Sequence, residues 1–78
     1  MRVDEVCSVA GSIFKELRIK KGYSLEQFAK IVGKTKEELE NIEQGIPCRL
    51  TIFEMKRMVN SLGLNMFEFV ALVDEKIN

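Results

Sequence analysis

The sequence of 78 residues contains no histidine, one proline and two cysteines. Histidine is the commonest acid–base catalyst and a frequent zinc ligand, so its absence argues against both roles. Cys7 and Cys48 lack the CxxC spacing of a zinc site, and the chain has no glycine-rich phosphate-binding loop. We therefore predict a protein without a metal, a cofactor or enzymatic activity.

The chain also lacks an excess of either charge. Twelve basic residues balance twelve acidic ones, so the charge gives no support to a nucleic-acid partner, which a basic excess would favour. No apolar run approaches the roughly 18 residues of a membrane span, and the acidic N-terminus "MRVDEVCSVAG" is unlike a signal peptide. We predict a cytoplasmic protein that does not enter a membrane.

The cytoplasm keeps thiols reduced, which bears on the two cysteines. Cys7 and Cys48 lie 41 positions apart in the sequence (48 minus 7). We predict that both are free thiols, and a disulfide is the alternative.

Helix start signals are abundant in the sequence. In a capping box, a small polar residue and a Glu or Gln three positions later each satisfy a backbone donor of the first helical turn. The pattern occurs four times, at 24–27, 35–38, 51–54 and 65–68. Glycines at 22, 33, 45 and 63 stand where helices end in the left-handed conformation.

These signals predict a single domain over 1–78, with a core of about 11–73 and an N-terminal extension over 1–10. Apolar residues recur at helical spacing after each start signal, and no segment alternates with the period of a strand. The sequence therefore predicts no sheet and five helices, at 4–21, 25–32, 36–44, 52–62 and 66–77.

The second and third helices are joined by "VGKT" alone. Ala29 is small enough to let the two helices cross closely, and Gly33 can take the positive φ that reverses the chain. Leu39 and Ile42 then supply the apolar face of the third helix. These residues fit a helix-turn-helix and a plain helical hairpin equally well.

The wider sequence resembles the lambda-repressor-like (Cro/CI, XRE-type) helix-turn-helix family. The similarity is carried by "LRIKKGYSLEQFAKIVGKTKEELENIEQG" and "LTIFEMKRMVNSLGLNMFEFV", and it extends from Ile13 to Val70. In length and in its last helix the chain is similar to small phage repressors and to restriction–modification controller proteins. The resemblance implies an all-α, five-helix lambda-repressor-like domain that places its third helix in the major groove of DNA.

The same resemblance implies which residues bind DNA. They lie at the starts of helices two and three, on the outer face of helix three and in the loop after it. The set is Ser24, Leu25, Lys34, Thr35, Lys36, Glu37, Glu40, Asn41 and Arg49. Lys36 can donate to guanine, Asn41 can bond adenine, and a glutamate can accept from the amino group of cytosine.

The third helix is nevertheless acidic, since "KTKEELENIEQG" holds four glutamates. Glu38 belongs to a capping box. Glu43 stands at the family position that forms a buried ion pair with Arg18, and an exposed Glu43 that touches a partner is the alternative. Glu37 and Glu40 remain on the reading face, where they oppose the approach of phosphates.

The phosphate contacts that would compensate are few. The family often has glutamine where Leu25 stands, although the amides of 25–27 can still hold a phosphate at the helix N-terminus. Arg49 is the one cation of the loop "IPCR". Three further lysines either add a basic rim or form an ordinary solvated surface: Lys20, Lys21 and Lys30.

Two aromatic residues, Phe53 and Phe67, occupy positions that are usually polar in the family. With Val70 and Ala71 they predict a two-fold dimer interface on helices four and five. The alternative is that a small core wraps round them. We also expect an inward stripe on helix five made of Met66, Phe69, Val70, Val73 and Ile77.

Two functions follow from these observations. The first is a homodimeric, sequence-specific repressor or other transcriptional regulator on a palindromic operator, with double-stranded DNA as partner. The alternative is an antitoxin-like or antirepressor-like module on the same fold, with a protein partner and little affinity for DNA. Salt dependence separates the two, because contacts to phosphates weaken steeply as salt rises.

Overall fold

The structure is a computed structural model and describes residues 3–45 and 51–77. These residues form helices and no strand, which confirms the all-α class. The helices are α1 (Val3–Lys21), α2 (Leu25–Val32), α3 (Lys36–Gln44), α4 (Ile52–Ser61) and α5 (Met66–Ile77). The predicted bounds differ from these by one residue at the start of α1 and one at the end of α4.

All four predicted capping boxes are present. At the start of α3, the Thr35 amide donates to Glu38 Oε1 over 2.9 Å, and the Glu38 amide donates to Thr35 Oγ1 over 3.0 Å. The same reciprocal pair of bonds occurs at Ser24–Gln27, Thr51–Glu54 and Asn65–Glu68. Each box satisfies two first-turn donors, so the starts of α2 to α5 are determined locally.

One hydrophobic core joins the five helices. Its members are Ala10, Ile13, Phe14, Phe28, Ala29, Val32, Leu39, Met58, Val59, Leu62 and Phe69. Phe14 of α1 stacks on Phe69 of α5, with ring centroids 4.6 Å apart. α1 also packs against α3, while α2 packs against α3 and α4. The first helix thus supports both the last helix and α3.

The turn between α2 and α3 is short and well bonded. Gly33 ends α2 in the left-handed conformation with φ of 71°, which glycine adopts without steric penalty. The amide of Lys34 donates to the carbonyl of Ala29 over 2.8 Å, and Ala29 itself is buried in the core. Three residues therefore suffice to pass from α2 to α3.

α1 meets the end of α3 backbone to backbone at Gly11. A Cβ at this position would lie 2.4 Å from the carbonyl oxygen of Ile42 and 2.8 Å from that of Glu43. No side chain fits at those distances. Gly11 therefore sets how closely α1 approaches α3.

Val70 was predicted to belong to the inward stripe of α5, and this prediction is wrong. Its residue is 56% exposed, whereas Phe69 is 2% exposed. Adjacent residues of a helix differ by about 100° in direction, so Val70 points away from the side on which Phe69 enters the core. Met66, Val73 and Ile77 are half-buried.

The prediction of a free thiol is wrong at Cys7, which is disulfide-bonded. Separation along the chain does not decide pairing, because a disulfide requires only that the two Cα atoms come within about 7 Å. α1 brings Cys7 and Ser8 against the end of α3, where a Cβ on Gly45 would lie 2.8 Å from Ser8 Cα. Cys48, the other cysteine of the sequence, lies outside the described residues.

None of the helices in the described part of the chain is long and apolar enough to cross a membrane.

Candidate nucleic-acid interface

The outer face of α3 is presented to solvent. Leu39 and Glu43 are buried on its inner side, while Glu37, Glu40 and Gln44 are exposed. Asn41 lies four positions after Glu37 and three before Gln44, and therefore on the same face; it is half-buried. The face is thus acidic at Glu37 and Glu40, with Asn41 at a partly covered edge.

A buried ion pair fixes α3 from beneath. Arg18 of α1 donates from Nε to Glu43 Oε2 over 2.7 Å and from Nη2 to Glu43 Oε1 over 3.2 Å. Arg18 Nη1 also donates to the carbonyl of Tyr23 over 2.8 Å. Glu43 is 8% exposed, so it points into the protein and not towards a partner.

Lys36, in the first turn of α3, faces an acid of α2. Its Nζ lies 3.6 Å from Glu26 Oε1, and the two side chains are 56% and 77% exposed. An ion pair this exposed contributes at most about 1 kcal/mol. Lys36 can therefore leave Glu26 at little cost and reach a ligand.

Lys34, in the turn before α3, is held more closely. Its Nζ donates to Glu54 Oε2 in the first turn of α4, and its side chain is 20% exposed. The hydrogen bond from Lys34, followed by those from Thr51, keeps the pKa of Glu54 below its ordinary value. Glu54 is therefore an anion at neutral pH, and Lys34 already has a counterion inside the protein.

Neither of the acids that face these lysines was predicted to do so from the sequence. Glu54 was assigned only to its capping box, and Glu26 had no assigned contact. Twenty positions separate Lys34 from Glu54 in the chain, and no local pattern reports a contact over that distance. The two lysine–glutamate pairs form only when α2, α3 and α4 pack against one another.

The helix N-termini offer fewer amides to a phosphate than expected. The Gln27 amide, one of three predicted to face a phosphate, donates to Ser24 Oγ over 3.1 Å. The Glu38 amide is likewise taken by Thr35, whose own backbone amide keeps the pKa of Glu38 below its ordinary value. At α2 the amides of residues 25 and 26 remain without an intrahelical partner.

The remaining predicted cations are spread over the surface. Lys20, Lys21 and Lys30 are exposed. Lys20 lines a groove between α1 and α5 with Glu16 and Leu72, so it lies beside α5. Arg49 lies outside the described residues.

The four residues assigned to a dimer interface are all exposed. Phe67 is 90% exposed, and with Val70 and Ala71 it follows the outer face of α5. Phe53 is 80% exposed and borders a groove of about 280 Å³ together with Gly33 and Arg57. The core does not wrap round these side chains, which rules out that alternative.

Within the described residues, no three His, Cys, Asp or Glu side chains are grouped so that they could hold a metal ion.

Comparison with known proteins identifies the architecture. The model of a family described as helix-turn-helix (HTH_3) matches residues 14–69. Among solved structures, the clp gene regulator ClgR from Corynebacterium glutamicum is similar, with a TM-score of 0.84 and 15% identity over 91% of this chain and 74% of that chain. At this identity the likeness shows the fold alone. The search of curated proteins found no match.

Proposed function

This chain belongs to the helix-turn-helix family, and we propose that it is a DNA-binding regulator of transcription that binds a palindromic operator as a dimer. In this proposal α3 enters the major groove. The observation that carries this proposal is the outer face of α3. The buried Arg18–Glu43 pair fixes the helix, while the side chains of Lys36 and Asn41 remain available to contact DNA.

The proposed contacts combine base reading with thin phosphate binding. Lys36 and Asn41 have donors suited to guanine and adenine, and Glu37 and Glu40 can accept from the amino group of cytosine. Leu25 lies at the start of α2, where the amides of 25 and 26 can hold a phosphate. We keep Ser24, Thr35, Lys34 and Arg49 in the proposed interface as residues that flank these positions.

A dimer supplies what one copy lacks. Two copies related by a two-fold axis present two reading helices about 34 Å apart, one turn of DNA, and double the number of phosphate contacts. The exposed apolar residues Phe53, Phe67, Val70 and Ala71 form the proposed contact between copies. We propose the cytoplasm as location, since the DNA partner lies there, although a disulfide such as that at Cys7 is rare in this reducing compartment. The solved neighbour is called a gene regulator, which fits this role.

The decisive experiment is selection from a random duplex library at two salt concentrations, with and without a reductant because Cys7 is disulfide-bonded. We expect one enriched palindrome and an affinity that falls as salt rises. Lys36→Ala and Asn41→Ala should weaken binding to that sequence without lowering the melting temperature. Matched controls are Lys76→Ala, another exposed lysine paired with a glutamate, and Asn60→Ala, an exposed asparagine on α4.

The competing candidate is a module that binds a protein through the same face. The exposed Glu37 and Glu40 favour it, as do the carboxylates that already face Lys34 and Lys36. No enriched sequence and no salt-dependent affinity for DNA in the selection would decide for this candidate. An unchanged operator titration with both α3 variants would reject α3 as the reading helix.

A further inference from the structure

Both lysines that flank the start of α3 face a carboxylate from a neighbouring helix, but the two pairs differ in burial. Lys36 and Glu26 are separated by 3.6 Å and are mostly exposed. The Lys34 side chain is 20% exposed and the Glu54 side chain 33%. Solvent therefore screens the first pair far more than the second.

We propose that Glu54 occupies the position of a DNA phosphate at Lys34 and thereby lowers the affinity of the protein for every duplex. The inference rests on the proposed function, because it requires α3 and its flanking turn to approach DNA. Lys34 can then contact a phosphate in only two ways. Its ammonium leaves the Glu54 carboxylate, or it donates hydrogen bonds to the carboxylate and the phosphate at once.

The chemistry of the two anions supports this exchange. A lysine ammonium donates hydrogen bonds and cannot accept them, and carboxylate and phosphate oxygens are both acceptors. A phosphate that approaches Lys34 also approaches the negative charge of Glu54. The competition for the Lys34 ammonium and the repulsion by Glu54 both oppose the approach of a DNA phosphate. Because phosphates are the same at every base pair, the effect is independent of base sequence.

The cap at the start of α4 does not need the charge of Glu54. Glu38 and Glu68 make the same capping bonds at α3 and α5. At α2 the same position is a neutral glutamine, Gln27, which accepts from the Ser24 amide over 2.9 Å. The charge at 54 is therefore separable from the cap, and the bond to Lys34 is the additional interaction of this carboxylate.

The test is Glu54→Gln in the full chain, which keeps a capping acceptor and removes the charge. We expect the affinity for the selected operator to rise about tenfold near 0.1 M salt, and the slope of log K against log salt to steepen by about 0.9, the value of one further phosphate. Glu68→Gln is the matched control, since it changes a capping glutamate on α5 without touching Lys34.

A second pair of variants isolates Lys34. In the wild-type background Lys34→Ala should change the slope little, because its ammonium is occupied. In the Glu54→Gln background the same substitution should remove the gain in affinity and in slope. This comparison also tests the inference if Glu54→Gln lowers stability, because Lys34→Ala alone should then alter DNA binding less than Lys36→Ala does.

The outcomes of these binding experiments distinguish a failure of the inference about Glu54 from a failure of the proposed function. If the wild type and all variants fail to bind any duplex in a salt-dependent manner, the proposed function falls and the inference with it. If the wild type binds its operator but Glu54→Gln leaves affinity and slope unchanged, the inference alone is overturned. A gain that persists after Lys34→Ala also overturns it, since the effect would then be one of total charge.

Discussion

Arg18 holds three parts of this molecule together. Its guanidinium binds both oxygens of Glu43 and the carbonyl of Tyr23. It therefore connects α1 to α3 and to Tyr23 in the turn before α2. Removal of one partner of a buried pair leaves the other charge without compensation.

We predict that Arg18→Ala lowers the free energy of unfolding by about 3–5 kcal/mol. The stranded Glu43 carboxylate is the physical reason. In a domain of this size the melting temperature should fall by about 10 °C or more, which calorimetry or circular dichroism can measure. Lys76→Ala removes an exposed pair with Glu16 and should change stability by less than about 1 kcal/mol. Equal effects of the two variants would contradict this account.

Two capping carboxylates predict how stability depends on pH. Hydrogen bonds hold the pKa of Glu38 and that of Glu54 below their ordinary value. A carboxyl group with a lowered pKa in the folded state stabilises the fold above its unfolded pKa, about 4.3. That contribution is lost as the pH falls through the folded pKa. We expect the free energy of unfolding, measured in urea, to decrease from about pH 5 downwards.

Glu38→Gln should show a smaller decrease over the same range, because the amide caps α3 without titrating. Glu40→Gln changes an exposed glutamate outside the capping boxes and should retain the wild-type dependence. If Glu38→Gln and the wild type lose equal stability in acid, the cap is not the source of the effect.

Single elements of this fold were largely predictable, because their starts are written in adjacent residues. A capping box spans four positions, and all four boxes form as predicted. The contacts that could not be predicted cross between elements. The pairing of Lys34 with Glu54 depends on how the helices pack, and sequence spacing carries no signal for it or for the disulfide at Cys7.

The orientation of α5 shows the same limit on a finer scale. Apolar periodicity placed both Phe69 and Val70 on the inward stripe, but only Phe69 is buried. A continuous run of apolar residues fits several rotations of a helix, and the neighbours α1 and α4 select one of them. Helical spacing predicts which candidate site residues lie on the outer face of α3. Whether each of their charges is already paired depends on how the helices pack against one another.

The crossing of α1 and α3 provides a prediction at the scale of elements. Gly11→Ala would place a methyl group 2.4 Å from a backbone oxygen of α3. The backbones of α1 and α3 would have to move apart to accommodate it. We expect a loss of about 1–3 kcal/mol, measured by urea denaturation. The neighbouring Ser12→Ala alters an exposed position of the same helix and should shift stability by no more than about 0.5 kcal/mol. A Gly11→Ala protein as stable as Ser12→Ala would refute the close crossing.

At the scale of the whole molecule, one copy extends 31 Å along its longest axis and carries a single α3. In the proposed complex, two α3 helices one DNA turn apart, about 34 Å, come from two copies. We propose that these copies meet through the exposed residues Phe67, Val70 and Ala71 on α5 and Phe53 on α4.

We predict that Phe67→Glu converts the dimer to monomers, because a carboxylate would be buried without a partner in the contact. Sedimentation velocity measures the change directly. Ile19→Glu is the matched control, since Ile19 is a 58% exposed apolar residue on α1. The control should remain dimeric, and a dimer that survives Phe67→Glu would exclude α5 as the interface.

The capping boxes have a consequence for how this protein can change. Since the start of α3 is capped by Thr35 and Glu38 and the helix is anchored through Leu39 and Glu43, its outer positions contribute little to folding. Substitutions at 37, 40 and 44 can therefore accumulate without a loss of foldability. A lineage of such chains, or a library randomised at those three codons, can explore new recognition properties while it retains one scaffold.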